Sequence, residues 1–148
     1  MIHIKQIQAT DCYPIRKQVL WQHKAVAECG IDIDEQDGVF HLGAFLNNEL
    51  VCIGSFFKQK NPNFHQAHQY RLRAMATLPS AQKKGTAKSL VEFAVKKLQS
   101  ENINLLWCDA RIVATGFYKQ LGFSMKGNAY EIPIIGTHYL MYKHLEGK

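Results

Sequence analysis

The stretch that decides the fold is Gln82-Lys83-Lys84-Gly85-Thr86-Ala87, because of the patterns on either side of it. Upstream, residues 70–78 alternate in polarity, which predicts a strand with one face formed by Leu72, Ala74, Ala76 and Leu78. Downstream, apolar residues recur at helical spacing as far as Leu98, which predicts a long amphipathic helix. A basic, glycine-containing loop between a strand and a helix suits an anion, because the unpaired amides of the first helical turn and the positive end of the helix dipole face the ligand. The stretch therefore predicts a phosphate site.

The order of residues within this loop resembles a known motif. Gln82, Gly85 and Ala87 match the Gln/Arg-x-x-Gly-x-Gly/Ala pyrophosphate loop of the GCN5-related N-acetyltransferase (GNAT) superfamily. Residues 114–123 match a second element, Ala-x-x-Phe/Leu-Tyr-x-x-x-Gly-Phe, and they follow a short apolar strand at 104–109. The two motifs occur in the family's order and at about its separation. The chain is therefore similar to GNAT enzymes, specifically over residues 70–145 and only in general terms before them.

Composition favours one folded domain. The chain has 148 residues, of which 47% are hydrophobic; this is enough for a core of its own, and we predict a single domain over residues 1–148. The sequence shows no Pro/Gly/Ser-rich linker, signal peptide or apolar block of the roughly 20 residues that span a membrane. Its four cysteines lack Cys-x-x-Cys spacing, which favours reduced thiols and a cytoplasmic protein without a membrane partner.

The net charge of +6 is unevenly distributed along the chain. Residues 51–100 carry nine Lys/Arg and one Asp/Glu, whereas residues 1–50 carry four and seven. The positive excess surrounds the predicted phosphate loop and would attract a polyanionic ligand. The acidic residues of the first segment are interpreted either as solvated surface or as a rim that attracts a cationic amine; they are Glu28, Asp32, Asp34, Glu35 and Asp37.

The remaining patterns complete the predicted architecture. Further strands are predicted at 2–8, 39–46, 50–57, 123–132 and 136–145, and helices at 11–21, 23–29, 86–101 and 112–121. Asn47-Asn48 suits a hairpin turn, since asparagine tolerates positive φ. The resemblance implies an α/β (α+β) single-domain GNAT fold, with a mixed central β-sheet of about six to seven strands flanked by about four helices.

The resemblance also implies the reactants, which are acetyl-CoA as the acyl donor and an amine as the direct acceptor. It places the pyrophosphate on the loop, at Gln82, Lys83, Lys84, Gly85, Thr86 and Ala87. It places the pantetheine arm along the strand at Met75, Ala76 and Thr77, where a backbone N–H, which we assign to Met75, polarises the thioester carbonyl. Asp109 stands where the family often has an asparagine that binds the pantetheine arm or the acceptor. An ionised Asp only accepts hydrogen bonds, and it can instead cap the helix that follows.

Tyr118 occupies the family's tyrosine position, which implies contact with acetyl-CoA and the role of general acid. A phenol with an ordinary pKa of about 10 is protonated at neutral pH and can donate to a thiolate whose conjugate acid has a pKa of about 8.5. The alternative is that Tyr118 only packs, because it lies on the apolar stripe of its helix.

No spacing singles out the general base. An alkylamine, with a pKa of about 10.4, must lose a proton before it attacks, and the candidates are His138, Glu131 and His41. We assign His138, because it lies in a late strand that approaches the acceptor in the family. Arg71 and Arg73 occupy the central strand where many members have a glutamate, and guanidinium groups there suit an acceptor with a carboxylate or phosphate. His65 and His68 lack further ligands nearby in sequence, so no metal site is predicted.

Two other classes of protein remain open at this stage. A non-catalytic acyl-CoA-binding or regulatory domain of the same fold would explain the unmarked base, but not the tyrosine. A nucleic-acid-binding protein would fit the positive charge, but the sequence contains no recognisable nucleic-acid motif, and no nucleic acid partner is predicted. Among acceptors, a small molecule or an amino acid is favoured over a protein, because a minimal domain offers little extra surface. Dimers are common in the family, so a homodimer is one option.

Overall fold

The computed structural model describes residues 1–145, and the last three residues of the predicted 1–148 domain lie outside the described part. Seven strands form one sheet. They are β1 (Ile2–Ile7), β2 (Phe40–Leu46), β3 (Glu49–Phe57), β4 (Gln69–Thr77), β5 (Leu105–Arg111), β6 (Ser124–Ile132) and β7 (Gly136–His144). Their order across the sheet is β1-β2-β3-β4-β5-β7-β6, and only β4 and β5 run parallel. The predicted mixed sheet of six to seven strands is confirmed.

The described residues contain three α-helices, which is slightly fewer than the predicted four. They are α1 (Ala9–Ile15), α2 (Thr86–Ser100) and α3 (Thr115–Gln120). The helix predicted at 23–29 is reduced to a single 3₁₀ turn at Val26–Glu28. Three residues cannot form an α-helical hydrogen bond pattern, and Gly30, two residues after the turn, disfavours extension.

The helix predicted at 11–21 is present but irregular. After Ile15 the helix continues as a π-helical turn over Arg16–Leu20, in which the Trp21 amide donates to the Arg16 carbonyl at 2.8 Å. Pro14 lies inside α1 and has no N–H to donate to the preceding turn. The loss of that hydrogen bond accounts for the change of helical pitch immediately after it.

The sheet separates two apolar layers. Helices α2 and α3 cover one face, where Leu90, Val91 and Leu98 of α2 pack on the even-numbered residues of β2. Helix α1 covers the other face, where Cys12 and Ile15 pack on Ile53 and Ala76. Their burial fixes α2 against the middle of the sheet, so the loop before α2 lies at the end of β4.

A β-bulge interrupts β4 at Ala74. Arg73 pairs with Ser55 and Ala76 pairs with Ile53, so β4 uses one more residue than β3 between these pairs. Ala74 takes the extra position with φ of 55°. A β-bulge leaves one residue unpaired and bends its strand.

The bulge makes the predicted single face of Leu72, Ala74, Ala76 and Leu78 wrong. Leu72 packs in the layer beneath α2, whereas Ala76 packs against α1 on the opposite face. The inserted residue shifts the side-chain alternation by one, and a shift of one residue exchanges the two faces of a strand.

The bulge also lies where β4 and β5 separate. Parallel pairing runs from Gln69 opposite Leu105 to Leu72 opposite Cys108, and no further pair follows in the described chain. Beyond this point β4 continues beside β3, while β5 continues beside β7 as far as Arg111. The two strands therefore diverge at their carboxyl ends, and backbone polar groups on their facing edges are left without a partner strand.

Candidate active site

A cavity of about 290 Å³ occupies the opening between β4 and β5. Its walls carry six of the residues weighed for the site from sequence, together with others contributed by the end of the first helix and by the β6–β7 hairpin. The charged or titratable ones are Arg71, Arg73, Cys108, Asp109, Arg111, Tyr118 and His138. Met75 lines the same cavity, so the proposed carbonyl-binding, acid and base residues share one space.

Tyr118 reaches the cavity from α3. The residue is 5% exposed, and its ring packs edge-on against Phe117 and Phe123, with centroids 5.0 and 5.2 Å away. Burial raises the pKa of the Tyr118 phenol well above its ordinary value, with a further contribution from the nearby Cys108 thiol. Tyr118 therefore packs in the core, as one interpretation of the sequence predicted, and it also lies on the wall of the cavity with its phenol protonated.

His138 lies on β7, opposite Arg111 of β5. It is 4% exposed, and its Nδ1 lies 2.7 Å from the carbonyl oxygen of Gly136. A carbonyl oxygen only accepts, so Nδ1 carries the proton in this contact. In the neutral imidazole this tautomer leaves the lone pair on Nε2, which is the arrangement that a general base requires.

Asp109 is held in place by two donors. The Arg71 guanidinium donates to one carboxylate oxygen at 2.6 Å, and the Tyr130 hydroxyl donates to the other. Burial and this hydrogen bond raise the pKa of Tyr130, so its phenol remains a donor. The alternative in which Asp109 caps the following helix is wrong, because the capping position there belongs to Arg111.

The loop before α2 has the geometry of an anion site. Gly85 is the N-cap of α2 with φ of 84°, Lys83 also has positive φ, and no side chain caps the helix. The exposed loop therefore leaves the first amides of α2 available to a ligand. A Cβ placed on Gly85 would meet only Ile2, at 3.9 Å, so the space in front of the loop is open. The loop therefore has room and free amides for an anionic group.

The other residues assigned to the pantetheine arm differ in orientation. The Thr77 hydroxyl donates to the Cys52 sulfur at 3.2 Å on the α2 face, while Ala76 is buried against α1. Neither side chain lines the cavity. Any contact of these two residues with a ligand would have to come from the backbone of β4.

Two of the alternative bases lie elsewhere. His41 is buried, with Nδ1 2.7 Å from the Ser55 hydroxyl and Nε2 3.0 Å from the Asp34 carbonyl, and it does not line the cavity. Glu131 is exposed and accepts a hydrogen bond from Thr137. Among the three candidates, only His138 lies in the cavity.

The acidic rim is not supported either. None of the five acidic residues of the early segment lines the cavity. Asp34 is 5% exposed and forms a two-point ion pair with the fully buried Arg16, at 2.8 and 3.0 Å. This ion pair ties the irregular first helix to the following loop.

Sequence reasoning missed several residues of the cavity wall, among them Leu20, Trp21 and Arg111. The helical pattern of residues 11–21 predicted an element but not the pair of strands that it covers. Arg111 ends β5 beyond the predicted limit of 109, and no local signal marks it. Only the docking of α1 and the pairing of β5 with β7 bring these residues together.

The fold and site together define a class of protein, an acyltransferase that takes its acyl group from a nucleotide-bearing thioester. An open loop suited to an anion precedes a helix, two parallel strands separate beside it, and a protonated tyrosine and a histidine line the gap.

Comparison with known proteins agrees with this class. The model of the Acetyltransferase (GNAT) family matches residues 4–123. The uncharacterized N-acetyltransferase YitI of Bacillus subtilis (strain 168) is 37% identical over 145 residues, which cover 98% of this chain and 97% of that protein.

Two solved structures show the same fold at low sequence identity. The ribosomal-protein-S18-alanine N-acetyltransferase from Escherichia coli is 17% identical with a TM-score of 0.77, over 100% of this chain and 96% of that one. An aminoglycoside 6'-N-acetyltransferase complexed with coenzyme A is 13% identical with a TM-score of 0.77, over 99% and 98%. The chain belongs to the acetyltransferase (GNAT) family. The predicted resemblance, fold and activity, acetyl transfer to an amine, are confirmed.

Proposed function

We propose that this enzyme acetylates the primary amine of a small molecule or amino acid within the cavity between β4 and β5. The observation that carries the proposal is the convergence of Met75, Tyr118 and His138 on that cavity. These residues come from three separate elements, β4, α3 and β7. A merely structural tyrosine and histidine would not need to face one open space.

The donor site extends from the loop to the cavity. The amides from Lys83 to Ala87 bind the pyrophosphate, and Lys83 and Lys84 add positive charge. The thioester supplies the electrophilic carbonyl, which the Met75 N–H polarises where β4 has left β5. Such a preorganised donor contributes about 3 kcal/mol in comparable sites.

The proton balance follows from the two titratable groups. His138 Nε2 takes a proton from the acceptor ammonium, and the freed nitrogen forms the new C–N bond as the C–S bond breaks. Tyr118 gives its proton to the departing thiolate and regains one from the nitrogen of the new amide, which loses its second proton at this stage, while His138 releases its proton to solvent. Because burial raises the pKa of Tyr118, the acid stays protonated across the neutral and alkaline range.

The setting of the enzyme is a further part of the proposal. No helix of the described residues is long and apolar enough to cross a membrane. All four cysteines are free and buried, which is compatible with the reducing cytoplasm. We keep the single domain and a homodimer as proposals, the latter to be checked by light scattering.

The test is titration calorimetry of acetyl-CoA into the wild type and into Gly85→Glu. Glutamate places a negative charge against the pyrophosphate, so micromolar binding should be lost. Gly127→Glu is the matched control, because Gly127 also has positive φ (79°) and no atom within 4 Å of a Cβ. Loss of binding in both variants, or no heat for the folded wild type at millimolar ligand, would refute the donor site.

A further inference from the structure

The cavity wall has an excess of positive charge on one side. Its charged residues are Arg71, Arg73, Arg111 and Asp109, so three guanidinium groups face one carboxylate. Asp109 is already bound to Arg71 at 2.6 Å. Within residues 1–145, Arg73 and Arg111 have no carboxylate partner, although both are only partly exposed.

Arg73 is the more constrained of the two. Its guanidinium lies over the Phe57 ring, 5.8 Å from the centroid, on the face of the sheet opposite α2. The charged groups around it are Arg71 and Arg16, balanced by Asp109 and Asp34. The positive charge of Arg73 is therefore in excess, and burial together with the neighbouring Arg71 lowers its pKa.

The excess positive charge of the cavity wall does not belong to the donor site. The phosphates of acetyl-CoA are assigned to the loop before α2, while Arg73 projects from the opposite face of β4. The pantetheine arm that would enter the cavity is uncharged. The acceptor is then the reactant that encounters Arg73 and Arg111.

We propose that the acceptor is a small amine that carries a carboxylate, such as a free α-amino acid, and that Arg73 and Arg111 bind this carboxylate. This rests on the proposed function and names its substrate class. Arg111 is the cross-strand neighbour of His138, so a carboxylate at Arg111 brings the adjacent amine toward the base. Guanidinium groups match carboxylates in shape and charge, whereas a polycationic amine meets like charge at the same wall.

The apolar part of the wall limits what the rest of the acceptor can be. Leu20, Trp21, Ile132 and Ile135 line the cavity beside the charged groups. These side chains suit an apolar substituent, so we expect leucine- or phenylalanine-like acceptors to be preferred over acidic or basic ones.

The experiment compares matched acceptors by release of free CoA. Each amino acid of a panel is tested against its C-terminal amide, with polyamines and ethanolamine phosphate alongside. Amidation removes the carboxylate and lowers the amine pKa, which by itself favours the reaction. We nevertheless expect the free acid to have the higher kcat/KM, by about tenfold or more.

Variants assign the effect to a residue. Arg73→Gln and Arg111→Gln should each raise KM for the free acid about tenfold or more, with little change for the amide or for acetyl-CoA. Lys60→Gln removes the same charge from an exposed loop residue outside the cavity and should change nothing. If one arginine variant fails to fold, the other still tests the proposal.

The outcomes separate this inference from the proposed function. If amides, polyamines or ethanolamine phosphate were acetylated faster than the free amino acids, the proposed binding of an acceptor carboxylate would be refuted. The enzyme would still be an N-acetyltransferase. Equal loss of the acid and the amide in the arginine variants would overturn the assignment to these residues. Acetyl-CoA binding without acetylation of any amine in the panel would count against both.

Discussion

Tyr118 shows how one side chain serves both packing and chemistry. Its ring fills the layer between α3 and the sheet, whereas its hydroxyl borders the cavity. Within the described residues, no protein hydrogen bond satisfies this hydroxyl. Removal of the oxygen alone should therefore spare the fold and affect the reaction.

We expect Tyr118→Phe to lower kcat by about 10²-fold or more, as loss of a general acid does, with an unchanged Kd for acetyl-CoA. Steady-state kinetics and calorimetry measure the two quantities. Phe117→Leu, next to it on α3, serves as a packing control. If Tyr118→Phe had the kcat of the wild type, Tyr118 would not be the general acid and its role would be limited to packing.

Asp34 and Arg16 form a buried ion pair outside the proposed active site. Asp34→Ala leaves the fully buried Arg16 without its carboxylate, which typically costs about 3–5 kcal/mol. Urea unfolding measures the loss. Asp32→Ala removes an exposed carboxylate two residues away and should cost less than about 0.5 kcal/mol.

The same pair predicts the acid dependence of stability. Burial alone would raise the pKa of Asp34, but hydrogen bonds from Arg16 and the Ile31 amide outweigh it and lower the pKa below 3.8. A lowered folded-state pKa stabilises the protein above the unfolded value, and this contribution is lost as the pH falls through the folded value. The free energy of unfolding of wild type should thus fall more steeply below pH 3.8 than that of Asp34→Asn. Parallel curves for the two proteins would contradict the lowered pKa.

At the scale of elements, β4 controls the site through its bulge. Ala74 has φ of 55°, a conformation that costs an L-residue with a Cβ about 1–2 kcal/mol. The strand accepts this strain because the extra residue turns Ala76 toward α1 and coincides with the end of pairing to β5. The strained residue therefore lies on the wall of the cavity.

Glycine should relieve this strain. We expect Ala74→Gly to raise the free energy of unfolding by about 0.5–1 kcal/mol, since glycine adopts positive φ without penalty. Ala76→Gly, in the regular part of the same strand, should lower it by about 0.5–1 kcal/mol. Denaturant titration of both variants compares them directly. If Ala74→Gly and Ala76→Gly destabilised the protein equally, the left-handed conformation of Ala74 would be contradicted.

At the scale of the whole molecule, charge separates donor from acceptor. The segment that carries the greatest positive excess, residues 51–100, supplies both the pyrophosphate loop and two of the cavity arginines. The loop leads into α2 on one face of the sheet, whereas Arg73 lies against Phe57 on the other face. We propose that one basic segment thereby serves two anionic groups.

Donor binding should stabilise the whole fold. At 100 times its Kd, acetyl-CoA adds about 2.7 kcal/mol to the free energy of unfolding, which raises Tm by about 5–10 °C for a chain of this size. The shift, measured by thermal melting, should shrink as salt is added at fixed ligand, because the loop charges are exposed. S-acetyl-N-acetylcysteamine lacks the phosphates and should give almost no shift. An equal shift with this truncated thioester would place the binding energy outside the loop.

Local sequence determined the elements and the family, because their signals depend on neighbouring residues only. Helical spacing fixed α2, and the glycine and lysine content of the loop indicated the anion site before it. Asn47 and Asn48 both adopt positive φ, as the predicted hairpin turn requires. The motif around Tyr118 predicted a helix with Tyr118 on its apolar face, and Tyr118 is the buried residue of α3.

Tertiary structure alone decided which residues share the active site. The bulge at Ala74, the separation of β4 from β5 and the contact of Trp21 with the cavity depend on strands and helices that are distant in sequence. The sequence predicted Asp34 as part of an acidic cluster at the surface, but packing buries it against Arg16. The physical reason is that a local pattern sets the period of an element, whereas its register and its neighbours follow from burial over the whole sheet.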